Sequence, residues 1–396
     1  MVIGFIGAGL FSVRLFYLVL KSFFQKLFMP LKTSLFFVLL IFFFQTKIAA
    51  QPLTTYTDMQ NQLMVWDNGI ERKIDFLPPT MIKTGRVAIP YLDNSRNFKI
   101  YYRGGATQIN NGFTNDFYTS DNLIIFLNAQ SLNVFDKGTI TNLSKVCNEY
   151  YFGDSIVLFN DGVKNEFKAY YNGRIYPIEN YLAAQGLDAI QVSDNVAAYN
   201  NYANQFRIFY HGNIIGQEEY LVNSFDVGRN TVAYVDANKE FKIFHAGKTF
   251  NAEKFAPTSY QAGDDLVAYV SNEGYLKVFY EDSIRNFGFM KADFLVGDNV
   301  IAFRDGNGFF KAFYKGDIIP LENYVPENYV VQYNSIAYVN RAGVLRLFSK
   351  GEIYDVTTLM NSTDQSGNPN WELTYDVLKY NVGLKMYHVF YNGNEY

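Results

Sequence analysis

Five aspartates recur at one place in this 396-residue chain: Asp121, Asp154, Asp194, Asp264 and Asp298 each stand second in a Gly/Ser-Asp segment that leads into an apolar run. Arg86, Arg229 and Tyr333 hold the same place in other copies. Repeated carboxylates suit three kinds of chemistry. They can accept backbone N–H groups and set a turn, gather as hard oxygen ligands for calcium, or face each other as the acid and base of glycoside hydrolysis. Their recurrence favours the first. The best local calcium candidate is Asp305-Gly306-Asn307-Gly308, yet it has too few acidic ligands for an EF-hand-like loop and matches ordinary turn chemistry. No metal ligand is assigned, and calcium stays as the alternative to no cofactor. Glu179, Glu219 and Glu322 lie at similar places in ENY or EEY segments. A central channel would gather such residues from many copies.

A catalytic residue should break a repeating lattice, whereas a structural one should sit on it. The three histidines sit on it. His211 in FYHG matches Asn172 in YYNG, His245 in FHAG matches Tyr210, and His388 in YHVF matches Lys311. They form no HExxH-like motif, and we read them as strand and turn side chains. Cys147 would need a base held against it to act as a nucleophile. We read it as a buried apolar thiol. The chain has no G-x-S-x-G elbow, phosphate loop or dinucleotide fingerprint, so no catalytic residue is named.

These residues are positioned by a repeat. GDNVIAFRDGNGFFKAFYKGDIIPLENY, from Gly297, aligns with GDDLVAYVSNEGYLKVFYEDSI from Gly263 and with GRNTVAYVDANKEFKIFHAG from Gly228. Copies start near 85, 120, 153, 193, 228, 263, 297, 332 and 374. A degenerate copy or lead-in occupies 51–84, around LMVWDNGIERKIDF. In each copy two short apolar runs flank a Gly/Asn/Asp turn, which predicts a hairpin. The aromatic ending the first run and the apolar residue opening the second are seven apart in most copies, as in Tyr234 to Phe241 and Phe303 to Phe310. That constancy predicts a fixed register. A third stretch, such as Asp317 to Glu322, follows, and then a link of variable length. The expectation is an all-β chain of tandem β-meanders of about 35 residues, which bury their faces by stacking.

This repeat resembles the blades of β-propellers over residues 85–396, although it carries neither a WD dipeptide nor a kelch double glycine. The resemblance implies a ring of radially packed sheets. An open β-solenoid or hairpin array is the alternative architecture.

Residues 1–50 differ from the rest, with five basic residues and no acidic one. Ser34 to Phe44 reads as the apolar core of a secretory signal that exits at Ala49-Ala50, with Met29 as a possible true start. Without this leader the balance is 29 basic against 38 acidic residues, or −9. That excludes the basic footprint of a nucleic-acid binder. With a single cysteine no intrachain disulfide can form. The expected function is a non-enzymatic binding or scaffolding module of an exported protein, secreted or associated with the cell envelope. It would recognise a glycan or protein partner, and would meet a membrane only if the leader is retained. The alternatives are a glycan-acting hydrolase with its site in a central channel, and a structural or adhesive surface component. The expected working face bears the unequal links: after Tyr181, near Ala256 to Ala262, and the insertion Asn361 to Asn370.

Overall fold

The two apolar runs of each copy form the central hairpin of an antiparallel sheet. In the copy at 297, Val300–Arg304 pairs with Phe310–Tyr314. Asp305 organises the turn between them, its Oδ1 accepting the N–H groups of Asn307 and Phe309 at 2.9 Å each. Gly308 completes the turn at φ +88, a conformation that costs glycine little. The third stretch, Asp317–Glu322, pairs with the outer edge of Phe310–Tyr314. Its tight turn uses Lys315 and Gly316, both with positive φ, as a two-residue hairpin requires.

The computed structural model describes residues 52–111, 114–180, 190–222, 224–289, 293–359, 369–383 and 385–396. The proposed leader lies outside them. Among the described residues all regular elements are strands, arranged in ten sheets. Nine sheets have four strands in simple sequential order, and the first, Leu53–Asp75, has three. The fourth strand lies in what the sequence presents as the link. In the blade containing Gly297 it is Phe294–Val296, on the inner edge of Val300–Arg304. The copies visible in the sequence therefore begin one strand late, at the turn between the innermost and second strands. Cys147 belongs to such an innermost strand, Cys147–Phe152.

The second and third strands alternate their side chains between two neighbouring blades, so both of their faces are largely buried. Phe310, Ala312 and Tyr314 pack with Ile336, Tyr338 and Phe348 of the following blade. Phe313 packs with Leu266, Val278 and other residues of the preceding one. This explains the near-continuous burial of the second strands, such as Ala88–Leu92 and Val196–Asn200. The circle closes between first and last blades. Trp66, fully buried, packs with Val377, Val389 and Tyr391, and its ring lies 5.2 Å from that of Tyr396. A closed ring replaces the open solenoid or array considered from sequence.

Around the axis the blades are joined by the turns between innermost and second strands. From the second blade to the tenth, neighbouring turns bond to one another. Arg229 N donates to Asp264 Oδ1 at 3.0 Å and Asn230 N to Asn195 Oδ1 at 2.8 Å. Asn334 N donates to Asp376 Oδ1 at 3.2 Å, and Ser155 Oγ to Asp194 Oδ1. Glycine opens many of these turns because the neighbouring backbone leaves no room. A Cβ on Gly228 would lie 1.9 Å from Gly263 O, and one on Gly263 would lie 2.5 Å from Gly297 O. Gly263→Ala is expected to lower stability by about 1–3 kcal/mol, as overpacking does. Gly105→Ala, whose Cβ would meet nothing within 4 Å, should change it little. Chemical denaturation midpoints of the two variants test the difference.

Candidate functional site

The inner turns bring the recurrent aspartates together around the channel. Asp121, Asp154 and Asp298 line one cavity of about 310 Å³ with Ser120, Tyr333 and Tyr375. Their carboxyl groups are held well above the ordinary range. Burial, followed by the charges of Asp264, Asp121 and Asp154, pushes Asp298 up to about 8. Burial and the Asp154 carboxylate raise Asp121 to about 7. Burial is also the main cause at Asp154, raised to about 6, and at Asp264. Two arginines offset the negative charge: Arg86 reaches Asp121 at 3.8 Å and Arg229 reaches Asp264 at 3.3 Å. Arg86 also lies over the Tyr333 ring, 4.5 Å from its centroid. A carboxyl group that keeps its proton near neutral pH can donate a hydrogen bond as well as accept one.

The aspartates hold turns, as the sequence implies, but across blades. Asp154 and Asp264 accept the N–H groups of Asp121 and Arg229 in neighbouring blades. The glutamates are not in the channel. Glu179 and Glu322 end outermost strands, and Glu219 follows another. Glu322 accepts from Arg346 at 2.7 Å, Glu219 from Gln205 at 2.6 Å and Glu179 from Asn201 at 3.4 Å. Their place in the sheet, three strands out from the axis, corrects the expectation that a channel collects them. Asp305 is engaged by its own turn and by Lys311 Nζ at 2.7 Å. Among the described residues no group of three or more His, Cys, Asp or Glu is placed to hold a metal ion.

The histidines stay apart. His211 bridges Tyr171 and Asn195. His245 lies between Asp265 and Asp282, at 3.2 and 2.7 Å, and these bonds to carboxylates raise its pKa. His388 pairs with Glu395 at 2.8 Å. Cys147 packs among Leu132, Leu143 and Phe159, and burial pushes its thiol pKa up.

A second candidate surface follows from strand direction. Antiparallel order puts the inner turns and the third-to-outermost turns at one end of every blade. The hairpin turns between second and third strands, and the links, lie at the other end. Among the described residues, the large apolar side chains more than 60% exposed are Met59, Phe76, Val163, Tyr202, Tyr220, Phe255, Phe289 and Leu359. All eight lie on the link end. There too a cleft of about 660 Å³ opens between blades 8, 9 and 10, where Asp293, Glu327 and Asn328 stand beside Pro326, Tyr329 and Trp371. Sequence reasoning missed this cleft. The available signal was Trp371, one of only two tryptophans, beside the longest insertion. Of the links expected to mark the working face, residues 181–189 and 361–368 lie outside the described residues.

The raised and lowered carboxyl groups predict a pH optimum. A raised group such as Asp298 contributes fully below the ordinary carboxylate pKa, and its contribution is lost as pH rises through its folded-state value. A lowered one such as Asp93, at about 2 through hydrogen bonds from Asn97 and Lys99 that outweigh burial, contributes above the ordinary pKa and is lost on acidification. Thermal melts should peak near about pH 5 and fall towards about pH 9. Asp298→Asn should flatten the alkaline limb.

No curated protein matches the chain. Among solved structures, the computationally designed Ika8 protein is similar at 14% identity over 70% of this chain and 96% of its own, with a TM-score of 0.34. The CRINKLY WD40 ectodomain of the Arabidopsis thaliana receptor kinase ACR4 is similar at 8% identity over 69% and 94%, TM-score 0.30. Kluyveromyces lactis Hsv2 is similar at 12% identity over 67% and 93%, TM-score 0.28. The family described as the 10-bladed beta propeller domain matches residues 47–396; with ten sheets closing one ring over that span, the chain belongs to this family.

Proposed function

We propose that the chain is a non-enzymatic binding or scaffolding module of an exported protein, and that it takes a protein partner across its link face. One observation carries this reading. Among the described residues the eight most exposed large apolar side chains lie at one end of the blades, spread from the first blade to the link before the last. Scattered exposed apolar residues are ordinary, but a one-sided set is typical of interaction surfaces. Tyr, Phe and Met are the residues that interface cores favour. The same face bears the links, where length varies without disturbing the joints between blades. The other end presents mainly the tight polar turns and the inner ring.

A second reading rests on the cleft between blades 8, 9 and 10. Asp293, Glu327 and Asn328 offer polar groups of the kind that hold a sugar, beside the edge of Tyr329 and the largely buried Trp371. Export rests on residues 1–50, with their five basic residues, no acidic one and an apolar core. The reading requires no cofactor, and calcium belongs in the same titrations as a variable.

The test is a binding survey of residues 51–396 against extracellular and envelope proteins and glycans of the producing cell. Tyr202→Ser/Tyr220→Ser/Phe255→Ser should leave stability within about 0.5 kcal/mol per site, as surface changes do, and weaken partner binding ten-fold or more. Ile175→Ser/Ile214→Ser/Ile318→Ser, on the outermost strands, should leave binding unchanged. Loss of glycan binding on Glu327→Ala/Asn328→Ala, with the triple variant unaffected, would favour the cleft. Turnover of a bound glycan would replace both readings with the hydrolase, and self-association without a ligand would favour an adhesive role.

A further inference from the structure

Three ordinary places of the lattice are filled by unusual residues in blades 6 and 7, and the three meet. Blade 6 is the sheet Ser224–Glu253 and blade 7 the sheet Ser259–Phe289. His245 ends the third strand of blade 6, a place held by tyrosine in six other blades (Tyr102, Tyr171, Tyr210, Tyr280, Tyr314 and Tyr391). Asp282 is second in the tight turn between the third and outermost strands of blade 7. That place is glycine in the nine other blades, as at Gly247 and Gly316. Asp265 lies in the inner turn of blade 7, where five other blades carry asparagine, as at Asn195 and Asn230. Asp282 has φ +55, which glycine adopts at less cost. A side chain kept there against the preference of the turn points to a role for its carboxylate.

His245 Nδ1 lies 2.7 Å from Asp282 Oδ1, and its Nε2 lies 3.2 Å from Asp265 Oδ1. Ionised carboxylates only accept, so both ring nitrogens must carry protons for both bonds to form. The ring is then an imidazolium that reaches from blade 6 to two separate turns of blade 7. Its edge contact with the Phe279 ring of blade 7, at 5.5 Å, orients it. The side chain is 13% exposed, so water has little access to either bond. The surrounding charges decide which bond gives way. Asp265 is held from several sides. Asn230 Nδ2 donates to it at 2.7 Å, Arg229 lies 3.5 Å away, and its own N–H donates to Arg229 O at 3.0 Å. Arg229 also pairs with Asp264 at 3.3 Å. Besides His245, Asp282 meets Lys248 at 3.9 Å, while the adjacent Glu281 faces Arg285 at 3.5 Å.

We propose that His245 is a pH-sensitive latch between blades 6 and 7, closed on both turns as a cation and released from the Glu281-Asp282 turn when neutral. A neutral imidazole has one N–H to give, and it stays with the carboxylate that is pinned. The surroundings set where this happens. The bond to Asp265 raises the His245 pKa against the effect of burial, and Asp282 raises it further. Burial would raise the Asp265 carboxyl in turn, but hydrogen bonds from His245 and Asn230 and the charge of Arg229 outweigh it and hold it below the ordinary range. A raised histidine contributes in full below its ordinary value of 6.5, and its contribution is lost as pH rises through the folded-state value. The latch is therefore closed within and below the ordinary histidine range and opens above it.

Hydrogen exchange at the Glu281-Asp282 turn tests the latch in the full chain in detergent, with rates corrected for the intrinsic pH dependence of exchange. Between about pH 6 and about pH 9, protection of residues 281–285 should fall about ten-fold relative to the Lys315-Gly316 turn of blade 8. His245→Tyr and Asp282→Gly restore residues that other blades carry, so both variants should fold, and in both this fall should vanish. The imidazole C–H signal absent from His245→Tyr identifies His245 among the three histidines. That signal should titrate above 6.5 in the unaltered chain and closer to 6.5 in Asp282→Gly. Constant protection over the range, a fall that persists in His245→Tyr, or titration of His245 at or below 6.5 would overturn the proposal.

Discussion

The ring of turns around the axis is the joint on which the rest of the molecule depends. Near the axis neighbouring blades meet backbone to backbone, and there is space for little else. Glycine or a small polar residue opens most of these turns, and a side chain from one blade accepts or donates to the next, as in the Arg229–Asp264 and Asn195–Asn230 contacts. These bonds fix the angle between sheets. Further out, large side chains fill the widening wedge. Phe310 lies between Tyr329 and Tyr338 of the following blade, and Phe241 lies between Tyr260 and Tyr269. A small residue inside and aromatic rings outside is what a wedge-shaped unit needs.

Charge follows the same geometry. Towards the link end, lysines of the third strands meet acidic residues from both their own blade and the one before. Lys242 reaches Asp236 and Glu218 at 2.9 Å each, and Tyr234 donates to the same Glu218 at 2.9 Å. Here the Asp236 carboxyl is held below the ordinary range, because hydrogen bonds from Lys242 and from backbone N–H groups outweigh its burial. Around the axis aspartates outnumber arginines, and burial with mutual repulsion pushes the pKa of several of them up. One residue type therefore does opposite electrostatic work at two radii of the same blade.

Much of this was legible in the sequence because the repeat fixes it. The central hairpin, its register, its turn chemistry and the outer third stretch all follow from residues that recur at fixed spacing. The innermost strand was not legible. It is as short as Phe294–Val296 or Ile190–Val192, its residues alternate weakly, and it lies in segments whose length varies. The partners of the recurrent aspartates lie a whole repeat away, at Asp154 for Asp121 and Asp264 for Arg229, so spacing alone pointed to each residue's own turn. The glutamates were misplaced for a related reason: a repeat tells which residues are equivalent but not their distance from the axis. The cleft beside Trp371 is built where the lattice stops repeating, and a single copy carries no record of that.

The seam between first and last blades has a bearing on how such rings change size. Among the described residues no sheet is shared between the first and last blades: Leu53–Asp75 and Trp371–Glu395 are separate sheets, sealed by Trp66, Tyr391 and Tyr396. In a ring closed by exchanging a strand, gaining or losing a unit must leave two distant stretches still able to pair in one sheet. Here each blade is a contiguous length of chain whose edges match those of any neighbour. A tandem duplication or deletion of one repeat would change the circumference by a whole blade and leave every sheet intact, so blade number in this architecture is a quantity that gene copying can alter in single steps.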